Sequence, residues 1–387
     1  MSTSAQWSFP VFACTETDRA VLALCAPRSA PIPAGSDAEA LLARAAALDL
    51  FPLAFHRVRQ LSPGAAAHLD PSWEESFRAN AARNLYLDHE QARLLARLRQ
   101  AGVCAAPLKG TALAELAYGD LSLRTQVDID LFVSPRDLPR ALDALPAAGY
   151  RQTAPPGVPA GRLAATGDEF TSECSLESIA AALPVLLELH WRILPLREDE
   201  LRAALRSADD SGLALPPDLN LLYLSLRAAA DRWSGLKLLA DLAHWLERRP
   251  PDWEHVLDQA RRLGLRRILC LTLGALRIYF GSTIPAEVQA SLASARPRRF
   301  PVAAIANPFV PQPPLTPSRL HRLRLSLHER RRDQARYLAR LLRPSAGDLA
   351  VVSLPGGLGF LYWGVRWLRL GGVLKSAARH QPVAANL

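Results

Sequence analysis

Three short apolar runs stand out from long stretches of helical spacing along this chain. They are Val103 to Leu108, Val127-Asp128-Ile129-Asp130-Leu131-Phe132-Val133, and Val185-Leu186-Leu187-Glu188-Leu189-His190-Trp191. Their length and branched or aromatic content predict strands. Before them, residues 37–100 are rich in Ala, Leu and Arg at helical period, interrupted near Pro52 and at Ser62-Pro63-Gly64. After them the helical period returns over 198–294, with helices expected at Leu236 to Glu247, Asp252 to Leu263 and Arg266 to Tyr279. Seven prolines fall between residues 296 and 318, which predicts a linker or extended strap. His321 to Arg343 then reads as one arginine-rich helix with an apolar set of Leu320, Leu323, Leu327, Tyr337, Leu338 and Leu341. The expected organisation is a helical region over 1–100, an α/β core over 101–197, a helical domain over 198–295, a linker over 296–318 and a basic helical tail over 319–387.

Composition changes this picture little. The chain has 387 residues, 49% of them hydrophobic, enough to bury a core as two or three units. Its formal net charge of +9 would suggest polyanion binding, but 43 of its 46 basic residues are Arg, the bias of a GC-rich coding sequence. Neither arginine interleaved with aromatics nor zinc-finger spacing is present, so nucleic acid is not favoured as a partner. Five cysteines without paired spacing fit a reducing compartment. The N-terminal residues lack the basic and apolar segments of a signal peptide, and the apolar stretch Leu349 to Leu374 is broken by Pro355, glycines, Arg366 and Arg369. A cytoplasmic protein with no transmembrane segment is the expectation. The arginine-rich segment 319–343 would dock on the body of the protein, bind an acidic protein or lie on an anionic surface, and docking is favoured.

Chemistry enters with the second apolar run. A strand points alternate side chains the same way, so Asp128 and Asp130 share a face while Val127, Ile129, Leu131 and Val133 take the other. Two carboxylates so placed repel each other and lose hydration unless a cation sits between them. A divalent metal meets that need; the bland alternative is a strand end where both carboxylates reach water. Upstream, Lys109-Gly110-Thr111 joins the first run to a helix expected over Ala112 to Tyr118, a strand-turn-helix whose glycine allows close approach of a phosphate to the helix-opening amides. Downstream, Glu188 interrupts an apolar strand and shares a face with His190. For His190 the favoured reading is a partly buried imidazole bonded to its strand neighbours.

These pieces resemble the polymerase-beta-type nucleotidyltransferase superfamily. Closer still, Leu108-Lys109-Gly110-Thr111-Ala112-Leu113, Tyr118, Arg124, Asp128-Ile129-Asp130-Leu131-Phe132-Val133, Gly149-Tyr150 and Glu188-Leu189-His190-Trp191 are similar to an uncharacterised bacterial nucleotidyltransferase-like family. That family is found in exopolysaccharide and peptide-natural-product gene clusters. The likeness is strongest over 84–195 and runs more loosely to about residue 290, through Trp233, Leu236-Lys237, Asp241 and Trp253. Two features depart from the pattern. Thr111 follows Gly110 where Gly or Ser is usual, with Asp128 18 positions beyond the glycine, and Arg227 and Asp231 hold places where family members carry histidines.

The resemblance implies an α+β fold, with a small mixed-sheet nucleotidyltransferase core embedded in a largely helical protein whose 198–295 helices close the active site. It implies an enzyme that moves a nucleoside monophosphate from an NTP to a hydroxyl or phosphate acceptor with Mg²⁺, as two ions, or with Mn²⁺. On this reading Asp128, Asp130 and Glu188 are catalytic and metal-binding, with Glu188 also orienting or deprotonating the acceptor. Lys109, Gly110, Thr111 and Arg124 bind the nucleotide, and His190 is auxiliary. The alternatives are phosphoryl transfer to a small molecule or peptide, and an inactive nucleotide-binding or scaffold protein.

Overall fold

Among the described residues five strands form one mixed sheet, built on the apolar runs that the sequence displays. The structure, a computed structural model, describes residues 9–30, 32, 35–155, 163–164, 172–179, 183–206, 215–293, 305–352, 354 and 356–370. Strand β1 is Ala105–Pro107, β2 Asp128–Val133, β3 Tyr150–Ala154, β4 Glu173–Ser178 and β5 Leu186–His190. Their order across the sheet is β1-β2-β5-β4-β3, so β5, not the paired-aspartate strand, is central. β2 and β5 run parallel, with Asp130 opposite Glu188 and Phe132 opposite His190. β4 runs antiparallel to β5 and sets Glu173 opposite His190. Ile129, Leu131, Leu187 and Leu189 are fully buried and fix the register, because a slip of one residue would turn them to the other face. The fold is thus α+β, as the resemblance implies.

The chain divides into two compact units, each drawn from separated segments. One takes the described residues of Met1–His89, Leu108–Gln126 and Ala204–Arg331; the other takes those of Glu90–Pro107, Val127–Ala203 and Arg332–Leu387 and holds the whole sheet. Within the sheet unit, Glu90 accepts a hydrogen bond from the Tyr150 hydroxyl at 2.8 Å and pairs with Arg93, whose guanidinium also reaches the Ala148 carbonyl. These contacts tie the end of the long helix Pro71–Gln100 to the start of β3.

The other unit is helical. Its helices include Thr111–Tyr118, Leu236–Arg248, Trp253–Leu263 and Arg266–Phe280, close to the spans that periodicity predicts. Trp233 is wholly buried, donates its indole N–H to Thr272 at 3.0 Å, and meets Phe9 edge-on. Tyr118, Arg124 and Asp241, three residues on which the family likeness rests, form one buried network here. The Asp241 carboxylate accepts from Arg124 Nε at 2.8 Å and from the Tyr118 hydroxyl at 2.8 Å. Burial and the adjacent carboxylate push the Tyr118 hydroxyl well above its ordinary pKa, so it stays a donor. Asn84 binds the Leu121 and Arg124 carbonyls at 2.6 and 2.7 Å, and Asn80 binds the Ser122 carbonyl at 2.8 Å. The segment leading towards β2 is therefore pinned by backbone as well as side chain.

The single helix expected over His321 to Arg343 is corrected to two, Pro317–Leu327 and Arg331–Leu342. The break has a physical cause. Glu329 accepts from the Arg267 amide at 2.6 Å, Arg267 binds the Ser326 carbonyl, and Arg330 binds the Arg261 and Arg262 carbonyls, so His328 to Arg330 serve the neighbouring helix instead of their own. Residues 296–304 of the expected linker and 371–387 of the expected tail lie outside the described residues. Among the described residues no helix is long and apolar enough to cross a membrane.

Arg124 and Asp241 are 6% and 0% exposed, so removing one partner strands a charge away from water. Asp241→Asn is expected to destabilise the protein by about 3–5 kcal/mol. Tyr118→Phe, which removes one hydrogen bond to a charged acceptor, should cost about 1.5–3 kcal/mol. Denaturant melts of the full chain compare the two, and a neutral Asp241→Asn would contradict the pair's structural role.

Candidate functional site

Parallel pairing of β2 with β5 decides which carboxylates meet. Asp130 and Glu188 are register partners, and neighbours in register on adjacent strands point to the same face. His190 follows Glu188 by two positions and therefore shares that face. The donor atoms of Asp130, Glu188 and His190 all lie within 4.8 Å of one another. Asp128 sits two residues before Asp130 at the start of the strand, half-buried and outside that set. Of the sequence-predicted metal residues, Asp130 and Glu188 thus come together, and the histidine joins them where Asp128 does not.

His190 occupies the middle of the cluster. Its Nε2 lies 3.0 Å from Asp130 Oδ1 and 3.6 Å from Glu188 Oε2, while Nδ1 lies 3.7 Å from Glu173 Oε2. Asp130 and His190 are buried; Glu188 and Glu173 are 21% and 39% exposed, so the cluster opens to water on their side. Burial alone would lower the imidazole pKa. Hydrogen bonds to Asp130 and Glu188, with the charges of Asp130 and Glu173, outweigh it and carry the pKa above the ordinary histidine value. With Nε2–H donating to Asp130, an imidazolium offsets the mutual repulsion of the carboxylates.

Glu173 was not legible as a site residue. The available signal was the alternation of Glu173, Ser175 and Glu177 against buried Cys174 and Leu176, which marks a half-polar strand without saying what its polar face meets.

The donor chemistry suits a divalent cation. Ligands about 2.0–2.3 Å from a common ion stand about 3 to 4.5 Å apart, the scale of this cluster. Two carboxylates and an imidazole are ordinary metal ligands once the imidazole loses its proton.

Lys109, Gly110 and Thr111 belong to the helical unit. Gly110 has φ 73° and ψ −137°, and a Cβ there would stand 2.8 Å from Gln126 Nε2. The turn therefore requires glycine on both counts. Thr111, buried, opens the helix Thr111–Tyr118, and Lys109 is half-buried. Arg124, expected at a phosphate, instead engages Asp241 through Nε.

A family model described as an uncharacterised nucleotidyltransferase matches residues 34–281, well over half of the chain. Neither a curated protein nor a solved structure matches it.

Gly110→Ala combines a left-handed backbone with a clash against Gln126, and is expected to destabilise the protein by about 1–3 kcal/mol. Gly149, also at positive φ but with open space around its Cβ position, is the control for backbone strain alone. A Gly110→Ala melting midpoint no lower than that of Gly149→Ala would remove the close-approach argument.

Proposed function

The chain therefore belongs to the uncharacterised nucleotidyltransferase family, and on that premise we propose that it moves a nucleoside monophosphate from an NTP to a hydroxyl or phosphate acceptor. The observation that carries this reading is the in-register meeting of Asp130 and Glu188 on β2 and β5. A strand pair that sets a buried and a partly exposed carboxylate side by side is costly for folding and suited to holding a cation.

Asp130 and Glu188 would hold a divalent metal, Mg²⁺ on the family resemblance, with Asp128 at the strand's entrance as a further carboxylate. The bound ion would supply charge neutralisation on the phosphates, favouring attack of the acceptor oxygen at the α-phosphorus as the bond to the β-phosphate breaks and pyrophosphate leaves. Glu188 is more exposed than Asp130, which supports a role in which it would accept the acceptor hydroxyl's proton. Gly110 and Thr111 would present helix-opening amides to phosphate oxygens, with Lys109 as a point charge. Arg124 we assign to positioning: its bond to Asp241 holds the segment that leads towards Asp128 and Asp130.

Incubation with α-labelled and γ-labelled NTPs, a divalent metal and host extract tests the reaction. Label transferred from the α position supports nucleotidyl transfer; label transferred only from γ would replace it with phosphoryl transfer. Nucleotide binding without product would indicate a binding protein. Asp130→Asn should stop transfer, because an amide is a poor substitute for an ionised ligand. Glu188→Gln should retain nucleotide binding and lose about a hundredfold or more in turnover, the scale for a lost general base. Full activity in Asp130→Asn would defeat the assignment.

A further inference from the structure

We infer that His190 is itself a metal ligand, oriented by Glu173, and that the resulting set of two carboxylates and one imidazole takes a first-row transition-metal dication in preference to Mg²⁺. This rests on the metal-site reading above and goes beyond it in naming the ligand, the residue that holds it and the class of ion.

The first argument is spatial. His190 Nε2 faces the point where the two carboxylates converge, 3.0 Å from Asp130 Oδ1 and 3.6 Å from Glu188 Oε2. An ion bound by those two oxygens comes within ligand reach of that nitrogen. As imidazolium, Nε2–H would repel the ion; as neutral imidazole, it offers a lone pair at the same place. The ring is 3% exposed and held between two strand neighbours, so turning aside into solvent is not an available escape.

The second argument concerns the other nitrogen. Nδ1 lies 3.7 Å from Glu173 Oε2, and β4 sets Glu173 opposite His190 by backbone register. At that distance the pair is a charge contact, which favours a proton on Nδ1 electrostatically and so leaves Nε2 to ligate; a short closure would make it the hydrogen bond found behind most metal-bound histidines. Glu173 is therefore a positioning residue: it reaches the metal through His190.

Donor type then sets the ion. Mg²⁺ is a hard cation that takes oxygen ligands and retains water, whereas imidazole suits the later first-row ions Fe²⁺, Ni²⁺, Cu²⁺ and Zn²⁺; Mn²⁺, the weakest binder of the first-row series, prefers oxygen but accepts a nitrogen ligand more readily than Mg²⁺ does. With one of three convergent donors a nitrogen, the site is expected to bind Mn²⁺ more tightly than Mg²⁺.

The test uses the purified full chain and Mn²⁺ as a spin probe. In the wild type, bound Mn²⁺ should show a coupling to ligand nitrogen in pulsed electron paramagnetic resonance, and displacing it should take about a hundredfold excess of Mg²⁺. His190→Gln should lose the nitrogen coupling and reduce the discrimination to a few-fold. Glu173→Gln should weaken Mn²⁺ binding by about tenfold or more while retaining the wild-type melting midpoint, the effect expected for loss of an orienting partner. Bound Mn²⁺ without nitrogen coupling, or displacement by an equal concentration of Mg²⁺, would overturn the inference and leave the carboxylate platform standing. Wild-type Mn²⁺ affinity in Asp130→Asn, or no binding of either ion by the wild type, would overturn the platform and the inference together.

Discussion

Like charges placed in register on adjacent buried strands are the constraint from which the rest of the sheet unit follows. Asp130 and Glu188 face each other across the β2–β5 pair, and Asp130 is almost wholly removed from water. Their repulsion in a weakly polar surrounding must be offset by positive charge within a few ångströms. His190 meets that demand as an imidazolium, and a divalent cation would meet it more fully. On the proposed reading, the same geometry would receive a divalent cation. It also makes β5 the decisive strand: it carries two of the three converging groups and brings β4, with Glu173, to the cluster's open side.

A second buried charge arrangement does different work in the helical unit. Arg124 and Asp241 neutralise each other, Tyr118 completes the carboxylate's bonding, and Asn80 and Asn84 hold the carbonyls of the intervening segment. Satisfied on several sides, this network is rigid where the acidic cluster is poised. The contrast explains how one family likeness covers both groups of residues. Arg124 belongs to this buried network by its contacts. At Gly110 the positive φ strains any side chain, and a Cβ would also have to displace the amide end of Gln126.

Much of the fold was readable from local pattern. The three apolar runs became β1, β2 and β5 within a residue or two of their expected bounds, and the helices of residues 236–248, 253–263 and 266–280 follow from periodicity. β3 and β4 were less visible because their alternation is half-polar, and the tail helix was misread as continuous because the break at His328 to Arg330 arises from bonds to residues some sixty positions away. For the site, Asp130 and Glu188 were legible as carboxylates interrupting apolar strands. His190 was legible as an imidazole bonded to its strand neighbours, which it is, through Asp130 on β2, while Glu173 was not singled out.

What the sequence by itself determined is therefore what depends on neighbours in the chain: strand and helix periods, the shared face of Asp128 and Asp130, the shared face of Glu188 and His190, and the glycine turn. Side-chain alternation repeats every two residues and can be read without knowing the fold. Only the tertiary structure decided that Asp130 stands opposite Glu188, that His190 lies between Asp130 and Glu173, and that Arg124 spends its Nε on Asp241. Those outcomes depend on the register of strands and the packing of helices separated by 60 and 117 positions, and register is set by which whole apolar faces can be buried together. No single residue announces that choice, because the free energy that fixes it belongs to the sheet and the helical core as wholes.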